Sequence, residues 1–351
     1  MKFILLLSLF IFSSCSSSNS LKKKIEQEHF SGTALVTKKG KILLNHGFGE
    51  ANVEKQVTNS PQTQFLIGSI TKMFTAAAVL KLEQVGKIVQ TQPVSAYLKR
   101  EDMVWKGQMP SWADQVTIRQ LLIHSSGLED YTRLPGYDAF CKTVHTPEEV
   151  VQFFAFYPLK FQPGTKYDYM GSNYLLLGLI IERVSGKSYG DYLTENFFHP
   201  LKMESTKVSC DFVSQLLMQD PLLAIGYNEN GQLAGEENLS MAYSEAAIIS
   251  TTGDLRLWIQ GLFGGKVLSK NSLQKMLFPA LMKSETRGVG EGVFIDLDHR
   301  DQPSYFSLGK ISGYTSIWLY DPERESLVIL LSNEESTKTF DLGADLLKQI
   351  Q

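Results

Sequence analysis

A hydroxyl and an amine three residues apart can share one face of a helix. The chain offers that spacing at Ser20/Lys23, Ser69/Lys72, Ser272/Lys275 and Ser307/Lys310. Such a pair can do nucleophilic chemistry: the serine oxygen attacks a carbonyl while the amine manages its proton. Spacing alone is unspecific, so position must separate the four. Ser20/Lys23 lies in a polar N-terminal stretch, and Ser272/Lys275 lies on a charged helix predicted to be exposed. Ser307/Lys310 falls on a predicted strand, where i and i+3 point to opposite faces. Ser69 instead follows Gly68 in GSITKMF, at the start of a helix predicted from Ile70 to Val85 with Gly86 as its C-cap. Unpaired N–H groups and the positive end of the helix dipole gather there, favouring a serine alkoxide and disfavouring a protonated Lys72. The plain alternative is Ser69 as an N-cap and nothing more.

The elements that must position this pair follow from periodicity. SGTALVTKKGKILLNHGFGEANV reads as a β-hairpin turning near Gly40. From about residue 90 to 245 helical patterns dominate, as in VTIRQLLIH, TPEEVVQFFAFY and YLLLGLIIERVSG. Thr146-Pro147-Glu148-Glu149 is a helix start with proline at the first helical position. Strand patterns return in GVFIDLD, SYFSLGKI, TSIWLYDP and SLVILLSN, before a final helix from about Thr337 to Ile350. Strands from both chain ends make one antiparallel sheet flanked by helices, an α/β (α+β) fold with an inserted all-helical lobe. The predicted sheet lobe takes residues 29–66 and 245–351, the helical lobe 67–244, and a cleft between lobes is where a site belongs.

At 351 residues, 43% apolar and 20% charged, the chain can bury a substantial core. A net charge of −3 without a long basic run excludes a nucleic-acid footprint. Lys2 followed by the apolar run Phe3 to Phe12 reads as a signal peptide over residues 1–14, too short to span a bilayer. Ser13 and Ser14 lead to Cys15, so export and lipid attachment at Cys15 are expected, with 15–28 as a polar tether and the cell envelope as the location. That ending resembles bacterial lipoproteins, although Phe12 stands where leucine is usual; plain secretion is the alternative. Cys141 and Cys210 then remain, either as a disulfide or as two buried free thiols. No Cys/His cluster has metal-ligand spacing, so neither metal nor cofactor is expected.

Longer segments carry a resemblance. LLIHSSGLEDY at 121–131, PGTKYDYMGSNYLLLGLIIERVSGKSY at 163–189, SEAAIISTTGDLRLW at 244–258 and SGYTSIWLYDPERESLVILLSN at 312–333 follow GSITKMF in order. Over most of 30–335 the chain resembles the serine β-lactamase and penicillin-binding-protein superfamily, in its class C-like branch of β-lactamases, D-alanyl peptidases and esterases. The resemblance implies a β-lactamase/transpeptidase-like fold, Ser69 as acylated nucleophile, Lys72 as its partner and Tyr169 as proton shuttle. It also implies backbone N–H groups of Ser69 and Lys310 as oxyanion donors. His124, in HSSG, becomes a structural histidine, and the absence of a Gly-x-Ser-x-Gly elbow speaks against an α/β-hydrolase.

Two motifs depart from the family pattern. Its second motif is tyrosine, any residue, asparagine; the asparagine, which holds the lysine and meets the substrate amide, is Gly171 here. Asn173 lies two residues on and is expected to cap the next helix. The third motif, Lys or His before a variable residue and glycine, becomes Ser307-Leu308-Gly309. Gly309 would still let backbone approach a substrate, but the cationic group that meets a substrate carboxylate is lost, with His299 and Lys310 as possible replacements. The expected function is an envelope serine hydrolase acting on an ester or amide acyl substrate, esterase or peptidase-like. The alternative is a catalytically impaired relative binding cell-wall fragments or a protein partner through the same cleft. Oligomeric state leaves no mark in the sequence.

Overall fold

A computed structural model describes residues 18–297 and 303–351. The expected signal peptide, Cys15 and His299 lie outside the described residues. The described chain begins in a helix, α1, that continues to residue 27. This corrects the expected tether: Leu21 and Ile25, one turn apart, are 1% and 0% exposed and pack against the sheet. Two apolar residues at helical spacing were enough to dock a stretch whose composition is otherwise polar.

The hairpin of β1 (Gly32–Lys38) and β2 (Lys41–Phe48) turns through Lys39 and Gly40, both at positive φ (49° and 72°). The remaining strands of the main sheet are β3 (Leu281–Met282), β4 (Arg287–Val289), β5 (Phe294–Asp296), β6 (Ser304–Ile311), β7 (Tyr314–Asp321) and β8 (Ser326–Ser332). They form one eight-stranded antiparallel sheet in the order β2-β1-β8-β7-β6-β5-β4-β3. β1 meets β8 from Gly32 opposite Ser332 to Lys38 opposite Ser326, so both chain ends share the sheet as the pattern implied. Both faces of the central strands are covered, which is why SLVILLS is buried throughout and shows no alternation.

On one face lie α1 and α6 (Thr339–Ile350), packing Ile25, Leu346 and Leu347 against Val36, Ile317 and Leu330. On the other lies the larger core, with α2 (Thr71–Gln84), α3 (Ser172–Ser185), α4 (Leu239–Ala246) and α5 (Thr252–Phe263). α2 is buried on nearly every side from Thr71 to Leu80, as a helix without a polar face must be. It ends at Gly86 (φ 72°), whose N–H reaches Glu83 O while that of Lys87 reaches Leu82 O, the expected glycine closure. The predicted start at 146–149 is also present, with Thr146 and Glu149 exchanging capping hydrogen bonds. Cys141 and Cys210 are unpaired; neither is buried, which corrects that part of the expectation. The result is the mixed α/β architecture that the sequence implied.

Candidate active site

Ser69 sits one step outside its predicted place. Gly68–Ile70 forms a single 3₁₀ turn, and α2 proper begins at Thr71. Gly68 adopts φ 52°, and a Cβ there would lie 2.9 Å from Lys310 N. A Cβ on Gly309 would come within 2.0 Å of Ile67 O, an oxygen that also accepts a hydrogen bond from Ser316 Oγ at 2.8 Å. Gly309 was expected to admit a substrate; it admits the nucleophile turn itself. The Lys310 backbone therefore stands beside Ser69, where a second oxyanion donor would have to be. The Lys310 amine does not turn inward: it is exposed and pairs with Glu229 at 3.6 Å.

Lys72 Nζ donates to Ser69 Oγ at 3.0 Å and lies 5.0 Å from the centroid of the Tyr169 ring. Ser69, Lys72, Tyr169 and Ser307 meet around one small cavity of about 20 Å³, with His124 and Phe294 also in its wall. That is room for about one water molecule. Its roof is the β4–β5 turn, where Gly292 (φ 78°) presses on α2: a Cβ there would be 2.7 Å from Ala76 Cβ and 3.0 Å from Lys72 O. Gly171 stays outside the cavity wall, at the N-cap of α3.

His124 is a buried, hydrogen-bonded histidine, in keeping with its structural reading. Its Nδ1 accepts from the Met170 N–H at 3.3 Å and contacts Asn173 Nδ2 at 3.2 Å. Asn173 does not cap α3 as expected; it is fully buried, holds the imidazole and accepts from Ser126 Oγ at 2.6 Å. With Nδ1 accepting, the neutral ring carries its proton on Nε2. Burial, reinforced by the Lys72 and Lys283 charges, keeps the imidazole's pKa well below its usual value.

Two site residues were not anticipated. Glu245 pairs with Lys72 through Oε2, and its backbone oxygen accepts from Lys72 Nζ at 3.2 Å. Its Oε1 accepts from Tyr131 OH at 2.8 Å. Burial pulls the Lys72 pKa down, but the Glu245 carboxylate, helped by Tyr169, outweighs it and the net shift is upward. The expectation that the helix start would disfavour a protonated lysine is thereby overturned. A full charge in contact exceeds the half charge of a helix end. Both residues lie within the segments LLIHSSGLEDY and SEAAIISTTGD, and the one signal for Glu245 was a carboxylate inside an otherwise apolar run.

Known proteins bear on the assignment. The Beta-lactamase family profile matches residues 19–351. Putative penicillin-binding protein PbpX of Bacillus subtilis (strain 168) is 30% identical over 319 residues, 90% of this chain and 74% of that protein. Protein flp of Staphylococcus aureus (strain MW2) is 28% identical over 323 residues, and the match covers 90% of this chain but 62% of that protein's length. A penicillin binding protein from Bacillus halodurans shares the fold with a TM-score of 0.79 at 25% identity, covering 93% of this chain and 98% of its own. The chain belongs to the Beta-lactamase family, within the superfamily of serine hydrolases built on the β-lactamase and penicillin-binding-protein fold.

Proposed function

We propose that the chain is an exported serine hydrolase that forms an acyl-enzyme on Ser69 and hydrolyses an ester or amide. The observation that carries this reading is the 3.0 Å contact between Lys72 Nζ and Ser69 Oγ in the wall of a cavity shared with Tyr169. In acylation a bond forms between Ser69 Oγ and the carbonyl carbon, and the bond to the leaving oxygen or nitrogen breaks. The serine proton ends on the leaving group. Lys72, held as an ammonium by Glu245, stabilises negative charge on Oγ, and Tyr169 relays the proton. The N–H groups of Ser69 and Lys310 receive the carbonyl oxygen as it gains charge. Water then cleaves the acyl ester, returning a proton to Ser69.

The substrate we favour lacks a required carboxylate. Ser307 replaces the family's cation in the cavity wall, and the Lys310 amine is engaged outside with Glu229. An esterase or atypical peptidase fits this better than an efficient β-lactamase. The leader ending at Cys15 supports lipid anchoring in the cell envelope, tested by whether Cys15→Ser releases the protein from membranes. The altered second and third motifs favour a second reading, an impaired relative that binds cell-wall fragments or a protein partner through this cleft.

Intact-protein mass spectrometry after exposure to a fluorophosphonate, and separately to a penicillin, decides between them. An adduct that disappears in Ser69→Ala is the expected result. Rapid penicillin turnover through Ser69 would overturn the substrate preference, and no adduct from folded protein would favour the binding reading.

A further inference from the structure

The side chain missing at Gly171 leaves a space, and that space is filled. A Cβ on Gly171 would lie 2.7 Å from Glu245 Oε1, 2.8 Å from Glu245 Cδ and 2.8 Å from Tyr131 Cε1. Here an asparagine would collide with the Glu245 carboxylate, because the carboxylate occupies its place. We propose that Glu245 performs the lysine-positioning task of the absent asparagine, so that Glu245 and Gly171 form one exchanged pair. The inference rests on the acyl-transfer reading of Ser69.

The backbone around Glu245 is built for this placement. Tyr243 breaks the regularity of α4 with φ 33° and ψ −118°, a conformation that a bulky buried side chain adopts only under strong constraint. The break falls two residues before Glu245. Both its backbone oxygen and its carboxylate then face Lys72. The strained segment is pinned: Ser244 O accepts from Thr75 Oγ1 at 2.6 Å, and Ser244 Oγ donates to Tyr174 O at 2.8 Å. Gly178 on α3 makes the approach possible, since a Cβ there would lie 2.0 Å from Ser244 Oγ. Tyr131 fixes the other carboxylate oxygen at 2.8 Å, leaving Oε2 to the lysine.

The exchange changes the chemistry as well as the shape. An asparagine amide offers Lys72 a neutral acceptor, whereas Glu245 offers a full negative charge in a site where Lys72 is 3% exposed. Lys72 thus acts as a fixed cation beside Ser69, and the proton relay falls to Tyr169. Glu245 touches no reacting atom, so it is a positioning residue.

The test is a swap on the intact chain, read as the rate of fluorophosphonate acylation. Glu245→Gln and Gly171→Asn should each label at least about ten-fold more slowly than the parent. The double variant Gly171→Asn/Glu245→Ala should recover most of that loss, a coupling that independent structural sites would not show. Equal rates for Glu245→Gln and the parent, or a double variant no faster than Gly171→Asn, would overturn the proposal. Labelling of the parent itself reports on the acyl-transfer reading. If the parent does not label, the pair is judged by NMR of the Lys72 side chain in ¹³C-lysine protein. That resonance must lose its proton at lower pH in Glu245→Gln; an unchanged titration overturns the proposal.

Discussion

Two carboxylates sit near opposite ends of α2, one against Lys72 and one sharing Gln90 with Glu83, and they are held in opposite ways. Glu245 lies against Lys72 and receives the Tyr131 hydroxyl. Glu291 sits in the β4–β5 turn that roofs the cavity, is 4% exposed, and accepts from Gln90 Nε2 at 3.0 Å. Among the described residues it has no ion-pair partner; nearby Lys275 is taken by Glu83 at 2.9 Å. Burial pushes the Glu291 carboxyl up to about 7, against the Gln90 hydrogen bond and with help from Glu83. Burial alone therefore does not set the charge of a carboxylate here. A contacting cation distinguishes the two sites: among the described residues Glu245 has Lys72 and Glu291 has none.

The largest expected effect comes from making the first site like the second. Lys72→Met leaves the Glu245 carboxylate, only 14% exposed, without its cation, and stability at pH 8 should fall by about 3 kcal/mol. Chemical denaturation at pH 8 measures this. Acylation of the same variant should drop by about 10³-fold, since the group that stabilises the serine oxyanion is gone. A Lys72→Met protein that labels at the parent rate would remove Lys72 from the mechanism.

Ile25→Ala tests whether the two sites are insulated from the outer layer. Truncating a fully buried side chain in the α1 contact should cost about 3 kcal/mol of unfolding free energy. Acylation of the folded protein should be unchanged, because the α1 layer lies across the sheet from α2.

Glu291→Gln addresses the unpaired carboxylate, with a sign fixed by its raised pKa. From 4.5 to about 7 the native state binds a proton that the unfolded chain has released, so this group's contribution to stability falls as pH rises through that window. The variant should be more stable than the parent by about 2 kcal/mol at pH 8 and indistinguishable from it at pH 4. Denaturation midpoints at both pH values check this; the opposite pattern would mean that Glu291 has an effective cationic partner. The smallest effect is expected from Gln90→Ala, which removes the donor to Glu291. A loss of about 1 kcal/mol at pH 8 should be visible by thermal unfolding, with little change at pH 4.

Most of the fold was legible because its signals are local. SYFSLGKI and the 146–149 helix start fall where the pattern put them, and Gly86 ends α2 as expected. Misreadings arose where a short local signal was outvoted. Residues 18–27 look like a tether by composition, yet Leu21 and Ile25 suffice to dock a helix onto the sheet. Asn173 has the type and position of a helix cap, but its burial gives it to His124 instead. Gly309 looked like an opening for substrate, and only the distance to Ile67 O shows which backbone it accommodates.

The sequence by itself determined that Ser69 and Lys72 would stand together, because a three-residue spacing at a helix start is a local relation that needs no distant partner. Set against the pattern of the family it resembles, it also marked a departure at Gly171 and at Ser307. What fills the first gap was decided by the tertiary structure alone. Glu245 is 173 residues from Lys72 along the chain, and no periodicity or propensity relates the two positions. The fold brings them together by packing α4 onto α3 through Gly178 and by straining Tyr243, so the lysine's charge is set by a contact that chain order does not encode.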